Sequence, residues 1–322
     1  MLIINRLLRA CSVVVLSVAI WPALAQTYPS RPVRLIVPFE PGGGTDIVAR
    51  QISQGLAERL GQSVVVENRG GAGAILGTSA AARAAPDGYT IFLGQIGPLA
   101  INPYLYAKLP YDPVKDFEPV TFVGSQPLVL VVNPAVPANT VAEFVALAKA
   151  RPGQLNFSSA GKGSMGHLAG EYFKSITGAP IVHIPYKSGG PAVSDLVGGQ
   201  VQLTFNVIPT LMPLIKAGKL RALGVSYASP ALPDVPVMER EAPDFNVGSW
   251  IGILVPAQTP RAIIARLNTE IRAVLATPAV RRQFDEQGVQ LNPGTPEEFA
   301  AFIKKEQLRW SGVVKTSGAA AE

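Results

Sequence analysis

From residue 33 onward, short runs of consecutive apolar residues alternate with longer amphipathic stretches. Val33-Arg34-Leu35-Ile36-Val37-Pro38, Ser63-Val64-Val65-Val66-Glu67 and Thr90-Ile91-Phe92-Leu93 read as strands. Residues 45–59 and 75–84 read as the helices between them, and Pro86-Asp87-Gly88 as a turn. Continuous apolar strands separated by helices predict a parallel sheet covered on both faces, the α/β class. The rhythm returns later. A helix over 142–150 with Thr140 as its cap precedes a strand at Leu155-Asn156-Phe157-Ser158. A helix over 164–177, closed by Gly178, leads to a strand over 181–186. Gly190-Pro191 opens a further helix, Gly198-Gly199 ends it, and strands follow over 201–205 and 220–225. Two extended segments, 119–132 and Trp250-Ile251-Gly252-Ile253-Leu254-Val255-Pro256, are candidates for crossovers between two lobes. After the second the pattern predicts helices only, over 260–276, 279–287 and 296–314. A helical tail without strands of its own should pack back onto the first lobe.

The first residues change the picture of where the chain works. Arg6 and Arg9 precede an apolar run over 13–20, and Ala23-Leu24-Ala25 then supplies the small residues of a cleavage site. The run is too short to span a bilayer. Residues 1–25 therefore read as an export signal, with the mature chain starting near Gln26. Without Arg6 and Arg9 the formal charge falls from +6 to +4, and no Lys/Arg run or aromatic-basic interleaving supports nucleic-acid binding. The one cysteine, Cys11, lies inside the signal, so disulfides and thiolate metal sites are excluded from the mature chain. Arg9-Ala10 precede Cys11 and the apolar run follows it, the reverse of a lipid-attachment box. Cleavage leaves 297 of 322 residues, a length that favours two domains.

Candidate chemistry gathers in glycine-rich loops. The first strand ends in Pro38-Phe39-Glu40-Pro41-Gly42-Gly43-Gly44-Thr45-Asp46, where glycines let main chain approach a ligand and the next helix points free N–H groups at it. In open α/β sheets ligands lie at the carboxyl ends of strands. The same residues also suit an ordinary connection with Thr45 or Asp46 as a cap, and the pattern leaves the two readings open. No Gly-Lys-Ser/Thr follows as a phosphate loop requires. Gly71-Ala72-Gly73-Ala74-Ile75-Leu76-Gly77 looks like a dinucleotide fingerprint, but the next strand ends at Leu93-Gly94-Gln95 without the acidic residue, so these glycines are expected to serve packing. Ser158-Ser159-Ala160-Gly161-Lys162-Gly163-Ser164 and Tyr186-Lys187-Ser188-Gly189-Gly190-Pro191 repeat the strand–loop–helix design in the second half. They could seat a carboxylate; Ser164 as a helix cap is compatible with that role. Hydrolysis is poorly supported, since Ser164 and His167 share a helix face without a Gly-x-Ser-x-Gly elbow. His183 reads as structural, and two histidines without cysteine make no convincing metal site.

Several motifs occur together in order. They are Tyr28-Pro29-Ser30-Arg31-Pro32-Val33, Pro41-Gly42-Gly43-Gly44-Thr45-Asp46, Glu67-Asn68-Arg69-Gly70-Gly71-Ala72-Gly73, Pro86-Asp87-Gly88-Tyr89-Thr90 and Asn102-Pro103-Tyr104-Leu105-Tyr106. Leu109-Pro110-Tyr111-Asp112, Asp116-Phe117, Pro185-Tyr186-Lys187, Asp195-Leu196-Val197-Gly198-Gly199-Gln200-Val201 and Gly218-Lys219-Leu220-Arg221-Ala222-Leu223 follow. Across the mature chain this resembles the Bug family, the periplasmic substrate-binding proteins of tripartite tricarboxylate transporters. The resemblance implies a two-lobed Venus-flytrap fold with two crossing strands, lobe 1 from 26–124 and 251–322 and lobe 2 from 125–250. It implies a small carboxylate ligand, transient docking to a membrane transporter, a monomer, no enzyme activity and no cofactor. The ligand residues it implies are Phe39, Pro41, Gly42, Gly43 and Asp46 after the first strand, and Gln95 and Gly97 after the third. From the second lobe come Ser159, Gly161, Ser164, Tyr186 and Lys187. A periplasmic sensor for a membrane histidine kinase is the alternative, and an exported serine hydrolase the more distant one. Gln95-Ile96 stands where small hydroxyl residues are usual in the family, and Lys187-Ser188-Gly189-Gly190 alters its lysine-glycine turn.

Overall fold

Val33, Leu35, Ile36 and Val37 are all buried, so both faces of the first strand need cover. The computed structural model describes residues 28–42, 44–186, 189–243, 245–286 and 288–317. The expected signal over 1–25, the mature start near Gln26, Gly43 and Lys187 lie outside the described residues. Strands β1 (Val33–Val37), β2 (Val64–Asn68) and β3 (Thr90–Gln95) alternate with helices α1 (Gly44–Leu60) and α2 (Ile75–Ala82), and β1 pairs in parallel with both other strands. A turn of π-helix (Gly97–Ile101) and the short α3 (Asn102–Leu105) lead to β4 (Phe117–Val132). Then come α4 (Val141–Ala150), β5 (Asn156–Ser159), α5 (Met165–Thr177), β6 (Val182–Pro185), α6 (Gly189–Val197), β7 (Leu203–Val207), α7 (Ile208–Lys216) and β8 (Arg221–Val225). The chain continues through β9 (Gly248–Pro256), α8 (Arg261–Leu275), α9 (Pro278–Glu286), β10 (Gln290–Leu291) and α10 (Pro296–Ser317).

The long strand β4 belongs to two sheets. Its first part, to Pro127, pairs with β9, and its last part, Leu128 to Val132, pairs with β7 and β8. The strand order is β2-β1-β3-β9-β4-β7-β5-β6, with β8 and β10 also paired to β4. Two α/β lobes result, joined at β4. β9 pairs antiparallel with β3 and β4, and the chain reaches it from Phe245, whose ring lies 5.6 Å from that of Phe205 on β7. Helices cover each sheet according to the strand period. Val129 and Val131 pack with Leu196, Ile208 and Leu211, whereas Leu128, Leu130 and Val132 face the cluster that holds Phe173 and Phe205. In the first lobe, Leu35 and Val37 pack with Ile52 and Leu56 of α1 and Leu267 and Ile271 of α8. Phe299, Ile303 and Trp310 of α10 share the other cluster with Ile36 and Phe92. The helical tail thus returns to the first lobe, and α10 also touches α5.

Three elements differ from the pattern. β10 interrupts a tail expected to be purely helical, pairing Gln290 with Ser125 and Leu291 with Gly124. Two residues are too short to leave a periodic signal. Helix α7 and the helical stretch after β3 are also additional to the pattern: Pro213 removes a donor inside α7, while Pro98, Pro103 and Pro209 stand in first turns, where proline is tolerated, of stretches of nine residues or fewer. Among the described residues no helix is long and apolar enough to cross a membrane.

Candidate ligand-binding site

Each lobe presents loops where parallel strands end and helices begin. In the first lobe the loop after β1 is fastened by Asp46, which is buried on the first turn of α1. Its Oδ2 accepts from the Gly42 N–H at 3.0 Å and from Arg50 Nε at 2.9 Å. Those bonds, the Arg50 guanidinium foremost, hold the carboxyl below its ordinary range against the opposing effect of burial. Asn68 Nδ2 donates to the Phe39 carbonyl at 3.1 Å and ties the same loop to the end of β2. Phe39 itself is half-buried against the first-lobe core. Gln95, at the end of β3, donates through Nε2 to Thr45 Oγ1, so the loops after β1 and β3 are linked. Pro41 and Gly42 are exposed, and a side chain at Gly42 or Gly97 would meet nothing within 4 Å. Both glycines border open space. Gly77 behaves as expected of a packing glycine, since a Cβ there would lie 2.6 Å from Pro38 Cα.

In the second lobe Ser164 caps α5, its Oγ accepting from the His167 N–H at 3.4 Å. Ser159 is buried; its Oγ contacts His183 Nε2 at 2.6 Å and bonds both the N–H and the carbonyl of Gly161 at 3.1 Å. Gly161 approaches Tyr186, where an added Cβ would lie 3.1 Å from the Tyr186 carbonyl. The Tyr186 hydroxyl donates to Asp195 Oδ2 at 2.7 Å, and its pKa is pushed up to about 12 by burial first and Asp195 second. The side chains of Ser159 and Tyr186 therefore serve the lobe itself, and the N-terminus of α6 at Gly189 and Gly190 borders open space.

The two loop pairs meet at Gly163, where an added Cβ would lie 2.0 Å from Leu105 Cδ2 of α3. Leu105 is no candidate in the sequence and Thr45 only a candidate cap; a buried leucine carries no chemical signal, and the spacing of Thr45 gives no sign of its bond to Gln95. A cavity of about 670 Å³ lies elsewhere, at the crossing strands, lined in part by Ser125, Ser249, Trp250, Phe302, Lys305 and Arg309. It includes none of the loop residues. The hydrolase geometry is not assembled, because His167 Nδ1 accepts from the Gly163 N–H and Ser164 Oγ bonds main chain. Among the described residues no three His, Cys, Asp or Glu side chains gather closely enough to hold a metal ion.

Comparison with known proteins decides what such a pair of lobes is for. A family model described as the tripartite tricarboxylate transporter family receptor matches residues 48–319. The chain belongs to this family. It is 43% identical over 302 residues to protein BugT of Bordetella pertussis, covering 92% of this chain and 93% of that one. An R. palustris protein solved with adipate is 36% identical, with a TM-score of 0.83 over 90% of this chain and 98% of that chain. MatC from Rhodopseudomonas palustris with bound malate is 33% identical, with a TM-score of 0.79 over 89% of this chain and 100% of that chain. Family and fold are those of periplasmic solute-binding receptors, which are not enzymes. The Bug resemblance, the two-lobed α/β fold and the transport-receptor function read from sequence stand.

Proposed function

We propose that the protein is exported, is cleaved before Gln26, and works in the periplasm as a monomer. There it captures a small mono- or dicarboxylate between its lobes and docks transiently on a membrane transporter. Lobe 1 comprises 26–124 and 251–322, and lobe 2 comprises 125–250. The observation that carries the ligand class is that relatives alike over nearly the whole chain were solved with adipate and with malate. The chemistry of the loops supports it. Helices α1, α5 and α6 begin at these loops, and helix N-termini stabilise anions through unpaired N–H groups and the dipole.

The ligand residues in this reading remain those of the four loops, from Phe39, Pro41, Gly42, Asp46, Gln95 and Gly97 to Ser159, Gly161, Ser164 and Tyr186. Gly43 and Lys187 join them from outside the described residues. The side chains of Asp46, Gln95, Ser159 and Tyr186 already have partners within the protein. Recognition is therefore carried mainly by main-chain groups, which explains why one fold serves relatives with different acids. A thermal-shift panel tests the class. Adipate or malate at one hundred times its dissociation constant should add about 2.7 kcal/mol of stability, and glucose none. A panel in which every carboxylate fails while a neutral or cationic solute stabilises the protein would overturn the assignment.

A further inference from the structure

Two histidines that ligand contact does not use lie beneath the loop after β5. His167, on the first turn of α5, is buried, and its Nδ1 accepts from the Gly163 main-chain N–H at 3.0 Å. His183, on β6, holds Ser159 Oγ, which in turn holds both main-chain polar groups of Gly161. The imidazoles stack with centroids 4.0 Å apart and planes 22° from parallel, and the Phe157 ring lies 4.8 Å from that of His183. Both ends of the loop, Gly161 and Gly163, are thus fastened to one ring pair.

Valence decides the protonation state. A main-chain N–H only donates, so His167 Nδ1 must offer a lone pair, and the neutral ring carries its proton on Nε2. Adding a proton to Nδ1 replaces that bond with two opposed donors. Ser159 gives its one hydroxyl proton to the Gly161 carbonyl, so its Oγ accepts from His183, and the neutral His183 ring carries its proton on Nε2. Two charged rings at this separation would also repel. The charged groups that face the pair are Glu171 on α5, which favours protonation, and Lys162 in the loop and Lys174 on α5, which oppose it. Lys174 is itself paired with Glu171 at 3.2 Å, and Phe157 of β5 brings no charge. Burial lowers the pKa of His167 and, with His167 and the lysines, lowers that of His183 to about 3.

We infer that His167 and His183 are positioning residues that hold the loop from Ser159 to Ser164 through a neutral stacked pair, and that protonation of His167 releases the loop. The consequence for ligand rests on the carboxylate-receptor reading; the hold on the loop does not. The test is amide hydrogen exchange on the ligand-free protein at pH 7.5 and pH 4.5, expressed as protection over the random-coil rate at each pH. Gly163 should be protected at pH 7.5 and lose at least tenfold of that protection at pH 4.5. His167→Asn keeps an acceptor near the Nδ1 position that takes up no proton in this range, so its Gly163 protection should persist at both values. His167→Phe keeps a stacking ring without an acceptor and should lose protection at both while still melting cooperatively. Equal protection at the two pH values in the unmodified protein overturns the inference, as does a pH response unchanged in His167→Asn; neither requires His167→Phe to fold. Adipate titration is the second readout. Affinity should fall about tenfold further in the unmodified protein than in His167→Asn, a ratio that cancels the titration of adipate itself. If protection behaves as expected while that ratio is one, the histidine hold stands and this loop leaves the ligand site. If adipate binds at neither pH, the carboxylate reading suffers and the exchange result still decides the inference.

Discussion

The loops after β1 and after β5 occupy matching places, each leaving a parallel strand and opening a helix, yet opposite electrostatics fasten them. The first hangs on a charge: Asp46 takes the Gly42 N–H and the Arg50 guanidinium on one oxygen. The second hangs on neutral rings, His167 accepting from the Gly163 N–H and His183 donating to Ser159 Oγ. Their surroundings differ as well. Gly42 borders open space, whereas Gly163 is pressed against Leu105 of the other lobe. A glycine-rich loop thus needs an acceptor aimed at one of its N–H groups, and the kind of acceptor sets the conditions under which the loop lets go.

The largest effect should come from Gly163→Ala. Its φ of 77° is left-handed, which costs a side chain about 1–2 kcal/mol. The new Cβ would also sit 2.0 Å from Leu105 Cδ2, in a side chain that is only 2% exposed and has little room to turn. Overpacking of this kind adds about 1–3 kcal/mol. A total near 3 kcal/mol is expected by urea denaturation, with weaker carboxylate binding because the lobes meet there. A cost below about 1 kcal/mol would mean that the lobes do not press together at this point.

Asp46→Ala should come next, at about 2 kcal/mol, the usual cost of removing a charged acceptor from a partly buried N–H. Little of this belongs to the ion pair with Arg50, whose side chain is 57% exposed and screened by solvent. Arg50→Ala is therefore expected to change stability by under about 1 kcal/mol. If Arg50→Ala costs as much as Asp46→Ala, the ion pair rather than the loop bond fastens this end.

How much of this contrast the sequence carried depends on distance along the chain. Both loops were legible, because apolar strands followed by glycines and helix-start residues are local patterns. So was the Thr140 cap, which accepts from the Glu143 N–H as its spacing suggests. The partners of the second loop were not legible. His167 and His183 meet only because β5 and β6 pair with Phe157 opposite His183 and α5 folds back over them. Leu105 reaches Gly163 across the two lobes, a contact that depends on how β4 carries the chain from one sheet to the other. Asp46 was read as a cap for its own helix; its bond runs back to Gly42 and closes the loop in front of it. Spacing located the acceptor, and only the loop's path gave it its donor.

Acid should separate the two fastenings. For both histidines the folded pKa lies below the ordinary 6.5, so the unfolded chain binds protons first and stability falls as pH drops below about 6.5; for His183, whose folded value is about 3, the fall continues toward that pH. From pH 7 to pH 5 the loss from His183 alone should be about 2 kcal/mol. Asp46 behaves differently. Its folded pKa lies below 3.8, so its contribution is intact above that value and is lost only as pH falls further. Denaturation midpoints across pH 4–8 should therefore show a slope that His183→Gln flattens and Asp46→Asn leaves alone. A slope that follows Asp46 would reverse the assignment.

The smaller of the two glycine effects, and the one that sharpens the comparison most, is Gly42→Ala. Its φ of 85° is as left-handed as that of Gly163, so the backbone penalty is of the same kind. The difference is space: a Cβ at Gly42 meets nothing within 4 Å. The N–H that Asp46 accepts is retained by alanine, so the fastening survives. Strain alone should then cost about 1 kcal/mol, some 2 kcal/mol less than Gly163→Ala, measured by urea denaturation under the same conditions. Adipate or malate binding should nevertheless weaken, because the methyl group enters the open space that Gly42 borders. Equal losses at the two glycines would mean that backbone strain accounts for both and that Leu105 adds nothing. A Gly42→Ala protein that binds carboxylates as tightly as before would remove the loop after β1 from the ligand's side of the lobe.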